Sequence, residues 1–295
     1  CSRDWSSDVC SSDLLRVGLI GAGRVGIPLA RALQSAEHPV VAAHATSEAS
    51  IARVQRWLPA TDLATIPAVV AASDAVLIAV PDDELASIIS GIAQTSGFRS
   101  GQFVIHSSGR YGLDVLEPAI AQGAIGIALH PAMTFTGSAT DIERLKSCPF
   151  AVTTRDEWRP AAEALVLEMG GEPFRLDDAE RTKYHAALSH ASNHLNTLLT
   201  QSVELLSAAG IHNAGGFLEP LVQASAENAL SLGVASLTGP ISRGDVETVR
   251  QHVSALATSS MLPTYRQLAL ATIDNALGSN RISVDVATQL REVLG

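Results

Sequence analysis

Residues 15–26, LRVGLIGAGRVG, limit the folds open to this 295-residue chain more than any other stretch. An apolar, β-branched run ends abruptly in Gly21-Ala22-Gly23-Arg24-Val25-Gly26, and an apolar, helix-compatible segment, 27–33, follows at once. Strand, glycine turn and helix in that order give each glycine a separate task. Gly21 permits the sharp exit from the strand. Gly23, lacking a Cβ, leaves the backbone open to a pyrophosphate. Gly26 lets the helix sit close on the sheet. The start of that helix offers unpaired N–H groups and partial positive charge to an anion. GxGxxG alone is a weak signal, but with a strand before it and a helix after it the signal is strong. Gly21, Gly23, Arg24, Val25 and Gly26 are therefore the first expected dinucleotide contacts.

Short apolar runs recur at 16–20, 40–44, 75–80, 103–106, 125–129, 150–153 and 173–176, with helix-like segments between them. Such alternation implies a parallel sheet covered by helices on both faces. The unbroken apolarity of 75–80, AVLIAV, suits a strand buried on both sides. From Asp177 the strand signals stop. Residues 177–209 read as one long helix closed by Gly210, and helical periods return at 217–232, 245–258, 263–276 and 284–294. The expected architecture is α/β: a Rossmann-type parallel sheet over 15–176, then an all-helical domain for substrate and dimerisation over 177–295.

Residues 1–14 lie outside that pattern. They are rich in Ser and Asp, and the run from Asp4 to Leu14 resembles the translation of a sequencing adapter, so 1–14 are read as a non-native leader. It has neither the basic start nor the apolar middle of a signal peptide. Setting it aside leaves Cys148 as the one cysteine, which gives no disulfide framework or cysteine metal site and fits a reducing, cytoplasmic setting. The net charge of −10 and the lack of any basic run argue against a nucleic-acid partner. The most apolar window, 64–80, is interrupted by Pro67 and Asp74, so no membrane span is expected.

In a dinucleotide site, an acid at the end of the second strand holds the NAD ribose. Here that position carries His44 or Thr46, with Ser47 next and Arg53 nearby. Small hydroxyls beside an arginine suit a 2′-phosphate, so NADP is preferred and NAD is the alternative, with Glu48 the residue favouring NAD. Val80 and Pro81, where the apolar run 75–80 ends, are expected to line the cofactor, and Asp82 or Asp83 to cap the helix that follows.

Three polar clusters are placed to carry chemistry. Two follow strands: His106-Ser107-Ser108-Gly109 and His130-Pro131-Ala132-Met133-Thr134-Phe135. Ligands of open α/β sheets bind at that edge. The third is a stripe on the long helix. His185, Ser189, Ser192 and Asn196 share one face, Asn193 borders it, and Lys183 lies just before. His190 and His194 have metal-ligand spacing but no third ligand in view, so no metal is expected. Arg243 is a candidate clamp for a substrate carboxylate, and Asp245 a helix cap.

Together these pieces resemble the Rossmann-like oxidoreductases with a helical C-terminal domain of formerly unknown function. Those are distant relatives of ketopantoate reductase, pyrroline-5-carboxylate reductase and deazaflavin-dependent NADP reductase. The resemblance rests on the glycine loop, His106–Gly109, His130-Pro131 with Thr134-Phe135, Tyr184-His185-Ala186-Ala187, Ala191-Ser192-Asn193, and Thr238-Gly239-Pro240 with Arg243-Gly244-Asp245. It implies an NAD(P)-dependent oxidoreductase that pairs into homodimers, with a small 2-oxo acid such as ketopantoate as substrate. Ordinary ketopantoate reductases place asparagine four residues after a helix lysine. Here Ala187 stands four after Lys183, which moves the expected acid toward His185, with Lys183 the other candidate. Asn193 and Ser107 are expected to orient the substrate, Arg243 to hold its carboxylate, and His130 to line the cleft between the domains. The alternatives are a dinucleotide-binding regulatory protein without turnover, and a reductase of a cyclic imine or deazaflavin.

Overall fold

The computed structural model describes residues 14–295, so all but Leu14 of the expected leader lies outside the described residues. The chain divides into two compact units between Ser192 and Asn193.

The first unit is built on an eight-stranded sheet. Its strands are β1 (Val17–Ile20), β2 (Val40–His44), β3 (Asp62–Leu63), β4 (Ala75–Ile78), β5 (Phe103–His106), β6 (Ile125–Pro131), β7 (Pro149–Thr154) and β8 (Glu172–Arg175). They lie in the order β3-β2-β1-β4-β5-β6-β7-β8. Helices α1 (Gly26–Ser35), α2 (Glu48–Trp57), α3 (Ile66–Ala72), α4 (Asp82–Gln94), α5 (Glu117–Ile120), α6 (Thr140–Leu145) and α7 (Arg159–Glu168) connect them. Side chains alternate across each strand. Leu19, Leu77, Ile105 and Ile127 pack with Ile27, Leu29 and Leu33 of α1 and with α7, whereas Ile20, Ile78 and Val104 pack with Leu85 and Ile89 of α4. Both faces are thus covered, as the sequence pattern requires.

Two features depart from the expected sheet. β3 has only two residues, both exposed, and so left no apolar run to read. β7 runs antiparallel to β6, with Pro131 opposite Phe150. A parallel return needs a long crossover, usually helical. α6, at six residues, is only about 9 Å long, so the chain turns back beside β6 instead.

After a 3₁₀ turn at Asp178–Glu180, α8 (Arg181–Ser189) closes the first unit. The single helix expected over 177–209 is interrupted by a π-helical turn at His190–His194. It resumes as α9 (Leu195–Ala208), with Gly210 at φ +87° just beyond its end. The second unit continues through α10 (Ala214–Leu232), α11 (Val246–Ala255), α12 (Leu262–Gly278) and α13 (Val284–Leu294). Its core is formed by Val249, Ile273, Ala276, Ala287, Leu290 and Leu294 of the last three helices with Ile241 and Ile282. Asp245 caps α11, accepting from the Thr248 N–H at 3.0 Å, as expected. Among the described residues, no helix is long and apolar enough to cross a membrane.

Candidate active site

The glycine loop has the division of labour its sequence demands. Gly21 sits at φ +96°, and a Cβ there would lie 2.5 Å from the Ala79 carbonyl oxygen and 2.9 Å from Val80 Cγ1. A Cβ on Gly26 would lie 2.1 Å from the Gly21 carbonyl oxygen, so α1 can begin this close to the turn only with glycine. At Gly23, by contrast, no protein atom lies within 4 Å of that position. The first turn of α1 holds no acidic residue, and no side chain caps it. Open space at Gly23, uncapped N–H groups and the positive end of a ten-residue helix suit a phosphate.

Around this loop, the Arg53 guanidinium reaches from α2 and donates to the Ala22 carbonyl at 3.4 Å. Val80 backs Gly21, and Pro81 heads α4. Neither Asp82 nor Asp83 caps α4, contrary to expectation; Asp82 instead faces Arg110 at 3.9 Å. Thr46 is exposed at the end of β2. The Ser47 hydroxyl accepts from the Ser50 N–H and caps α2. The His44 ring donates from Nδ1 to the Ala64 carbonyl. No acid stands at the end of β2; Glu48 opens α2 on the exposed side.

A cavity of about 700 Å³ lined by Asp74, Arg99, Gln102 and Trp158 lies at the amino ends of the strands, the edge away from the glycine loop. Chemistry in such sheets gathers at the other edge.

There, β5 ends in His106, which is completely buried. Its Nε2–H donates to the Gly112 carbonyl at 2.9 Å, and its Nδ1 accepts from the Ser108 N–H. Burial pushes its pKa down to about 4. His106 is a neutral brace that shapes the 107–112 loop. Ser107 is half-buried on that loop.

His130 lies one residue from the end of β6, within the strand rather than after it. Its Nδ1 is 2.8 Å from the Tyr184 hydroxyl of α8. Its ring stands edge-on to Tyr184 and to His185, with centroids 5.5 and 6.3 Å away. Both histidines press on Gly109, where a Cβ would lie 2.9 Å from His130 Nε2 and 2.7 Å from His185 Cδ2. Burial first, then the charge of Arg181, hold His130 down to about 4; burial pushes Tyr184 up to about 12. The pair is therefore a neutral imidazole and a neutral phenol.

Arg181 organises this cluster. It is the largest fully buried side chain, 1% exposed. Its guanidinium donates to Thr153 Oγ1, to the Ser108 carbonyl, and to the Ala128 and Ala151 carbonyls, at 2.9 to 3.3 Å. It thereby ties α8 to the β5 loop, β6 and β7. Nearby, the Asp178 carboxylate accepts from the Leu113 N–H, filling the space a side chain at Gly112 would need.

Of the residues expected from sequence, Ser107, His130 and His185 thus lie in the first unit at the carboxyl edge of the sheet. Lys183 stands apart, with its side chain 86% exposed and its amine 3.6 Å from Glu180. Asn193 and Arg243 belong to the second unit. Asn193 is exposed in the π turn, and its carbonyl accepts from the Thr197 hydroxyl. The exposed Arg243 guanidinium donates to the Thr238 carbonyl of its own turn. The polar stripe counted from His185 to Asn196 assumed uniform helical spacing; the wider π turn at His190–His194 breaks that register.

Sequence reading missed Arg181 and gave Tyr184 no role beyond its place in the Tyr184–Ala187 motif. One signal was available for Arg181. It opens a helix, where the macrodipole disfavours a cation, so a buried task was the better explanation for it.

A family model for a Rossmann-like domain matches residues 2–131, and one for a domain of unknown function, DUF2520, matches residues 148–272. No curated protein matches the chain by sequence. Among solved structures, it resembles a candidate NADP oxidoreductase from Bacteroides fragilis, with TM-score 0.73, 21% identity, and coverage of 88% of this chain and 97% of that one. It also resembles an imine reductase from Pseudomonas sp., with TM-score 0.64, 17% identity, and coverage of 95% and 99%. A third likeness is to Plasmodium falciparum pyrroline carboxylate reductase with NADP bound, with TM-score 0.55, 10% identity, and coverage of 95% and 98%. At these identities the likeness is one of fold, and the fold is one that NADP oxidoreductases use. Its two parts thus match, in this order, a Rossmann-like domain and the DUF2520 helical C-terminal domain.

Proposed function

We propose that this protein is an NADPH-dependent oxidoreductase that reduces a small 2-oxo acid of the ketopantoate kind. One observation carries the reading: the paired His130 and Tyr184 stand at the carboxyl edge of the same sheet whose glycine loop is open at Gly23. NADP is favoured over NAD because β2 ends without an acid while Arg53 leans over the loop.

When bound, the reduced nicotinamide supplies the hydride. The chain supplies position and a proton. Tyr184 donates its O–H to the substrate oxygen, and His130 behind it passes protons from solvent. Ser107 and His185 orient the substrate by hydrogen bonds. The second unit supplies the contact between two copies, since α9 and α10 leave most of their apolar side chains uncovered.

A second reading, reduction of a cyclic imine, draws on the likeness to the imine and pyrroline carboxylate reductase folds. The test is calorimetric titration with NADPH and NADH, followed by loss of reduced-nicotinamide absorbance with 2-oxo acids and cyclic imines in parallel. Tight NADPH binding with oxo-acid turnover is the expected result. Binding without turnover of any compound would make the protein a dinucleotide sensor.

A further inference from the structure

The Arg181 guanidinium is a cation removed from water and bonded only to neutral oxygens. No carboxylate pairs with it among the described residues; Asp178, the acid whose field reaches it, spends its oxygens on the Leu113 N–H. Burying an unpaired charge is costly, and a charge held at that cost beside a cluster of perturbed titratable groups points to function. Arg181 sits beside the pair: it bonds the Ala128 carbonyl two residues before His130 on β6 and lies three residues before Tyr184 on α8, so its field falls on both. The other titratable groups around His130 are His185 on α8 and His106 on β5, both imidazoles, and Cys148 reaches Tyr184. Among the described residues, no carboxylate acts on His130 or Tyr184.

We infer that Arg181 is an electrostatic positioning residue that acts through Tyr184 and His130 to make the site select substrates whose reacting atom gains negative charge, carbonyls, over cationic iminium compounds. The inference rests on the reductase reading above. In carbonyl reduction, the carbonyl carbon gains a C–H bond with hydride from the reduced nicotinamide, which is oxidised. The π pair moves onto oxygen, and oxygen takes the Tyr184 proton, which solvent replaces through His130. Negative charge grows next to a fixed cation in a partly dry site, where such a field is weakly screened. An iminium enters with a full positive charge and loses it on reduction, so the same field opposes its binding.

The test has two arms. In the first, ¹⁵N imidazole NMR follows His130 in wild type, R181K and R181M without cofactor. His130 stays neutral to about pH 5 in wild type and R181K, but in R181M it titrates closer to the ordinary value near 6.5. In the second, kcat/KM is compared for a 2-oxo acid and a cyclic iminium, and the Kd of the NADP complex for a cyclic ketone and the cyclic ammonium ion of the same shape. Wild type prefers the carbonyl and the neutral ketone. R181M loses at least about tenfold of that preference, the equivalent of one pKa displacement, and R181K keeps it. If R181M does not fold, the wild-type ligand pair still decides the matter. A wild-type preference for the iminium or ammonium compound, an unchanged preference in R181M, or a His130 that titrates near 6.5 in wild type would each overturn the inference. Absence of turnover with every carbonyl and imine would instead sink the reductase reading, and the NMR arm would still show whether Arg181 governs His130.

Discussion

The imidazole of His130 occupies space that any side chain at position 109 would need, since a Cβ on Gly109 would lie 2.9 Å from His130 Nε2. His185 presses on the same point from α8 at 2.7 Å. The β5 loop is therefore glycine here because two rings from other elements converge on it. Gly109→Ala should displace both rings and lower turnover at least about tenfold, the scale of lost acid–base help. NADPH affinity should change little, because the glycine loop is separate. Steady-state kinetics beside calorimetry will check this, and a variant with wild-type kcat would place the chemistry elsewhere.

Gly23 and Gly26 should fail in opposite ways. A Cβ at Gly23 would meet no protein atom beyond its chain neighbours within 4 Å, so Gly23→Val should fold with an almost unchanged Tm yet bind NADPH at least about tenfold more weakly. A side chain at Gly26 meets the Gly21 carbonyl at 2.1 Å, so Gly26→Ala should destabilise the fold by about 1–3 kcal/mol, as overpacking does. Thermal melts with and without NADPH separate the two. Equal NADPH stabilisation of Gly23→Val and wild type would remove the phosphate from this loop.

What could be read from sequence was what local pattern encodes. The glycine loop, the buried strands and the cap of α11 by Asp245 each declare themselves within a dozen residues. β3 was silent because two exposed residues held only by backbone pairing have no side-chain pattern. The reversal of β7 depended on the length of α6, and the broken stripe on a π turn that no residue type announces. Arg181 was the costliest omission. Its four acceptors come from the β5 loop, β6 and β7, so its role exists only once distant segments have met.

His106 and His130 should make the protein lose stability in mild acid. Burial holds both folded-state values at about 4, below the ordinary 6.5. As pH falls through 6.5 the unfolded chain takes up protons that the folded chain refuses, so their contribution is complete above about 6.5 and lost progressively toward 4. Each is worth about 3 kcal/mol over that window. Urea unfolding at pH 7 and pH 4.5 should show the difference, and His130→Gln should reduce it. Stability that is flat across this range would mean the rings are not buried as described. The same neutrality predicts a kcat that is level from pH 6 to 8, because Tyr184, pushed up to about 12, remains a phenol throughout. An imidazolium donor would instead give a rate falling above pH 6.5.

The second unit should assemble as a pair through α9 and α10. These helices hold 14 and 19 residues, yet Ala214 is the one buried position between them. Phe217 is 63%, Leu221 64% and Leu230 91% exposed, and Leu195, Leu198 and Leu205 of α9 are also uncovered. So many uncovered large apolar side chains on two neighbouring helices suit a protein interface. A second copy offers the same apolar helices in return, as a two-fold contact requires. Light scattering on the purified protein should give twice the chain mass. Phe217→Glu combined with Leu221→Glu should give a folded monomer that binds NADPH as wild type does, since the glycine loop belongs to the first unit. A wild type that runs as a monomer at micromolar concentration would refute the pairing, as would a double variant that remains dimeric.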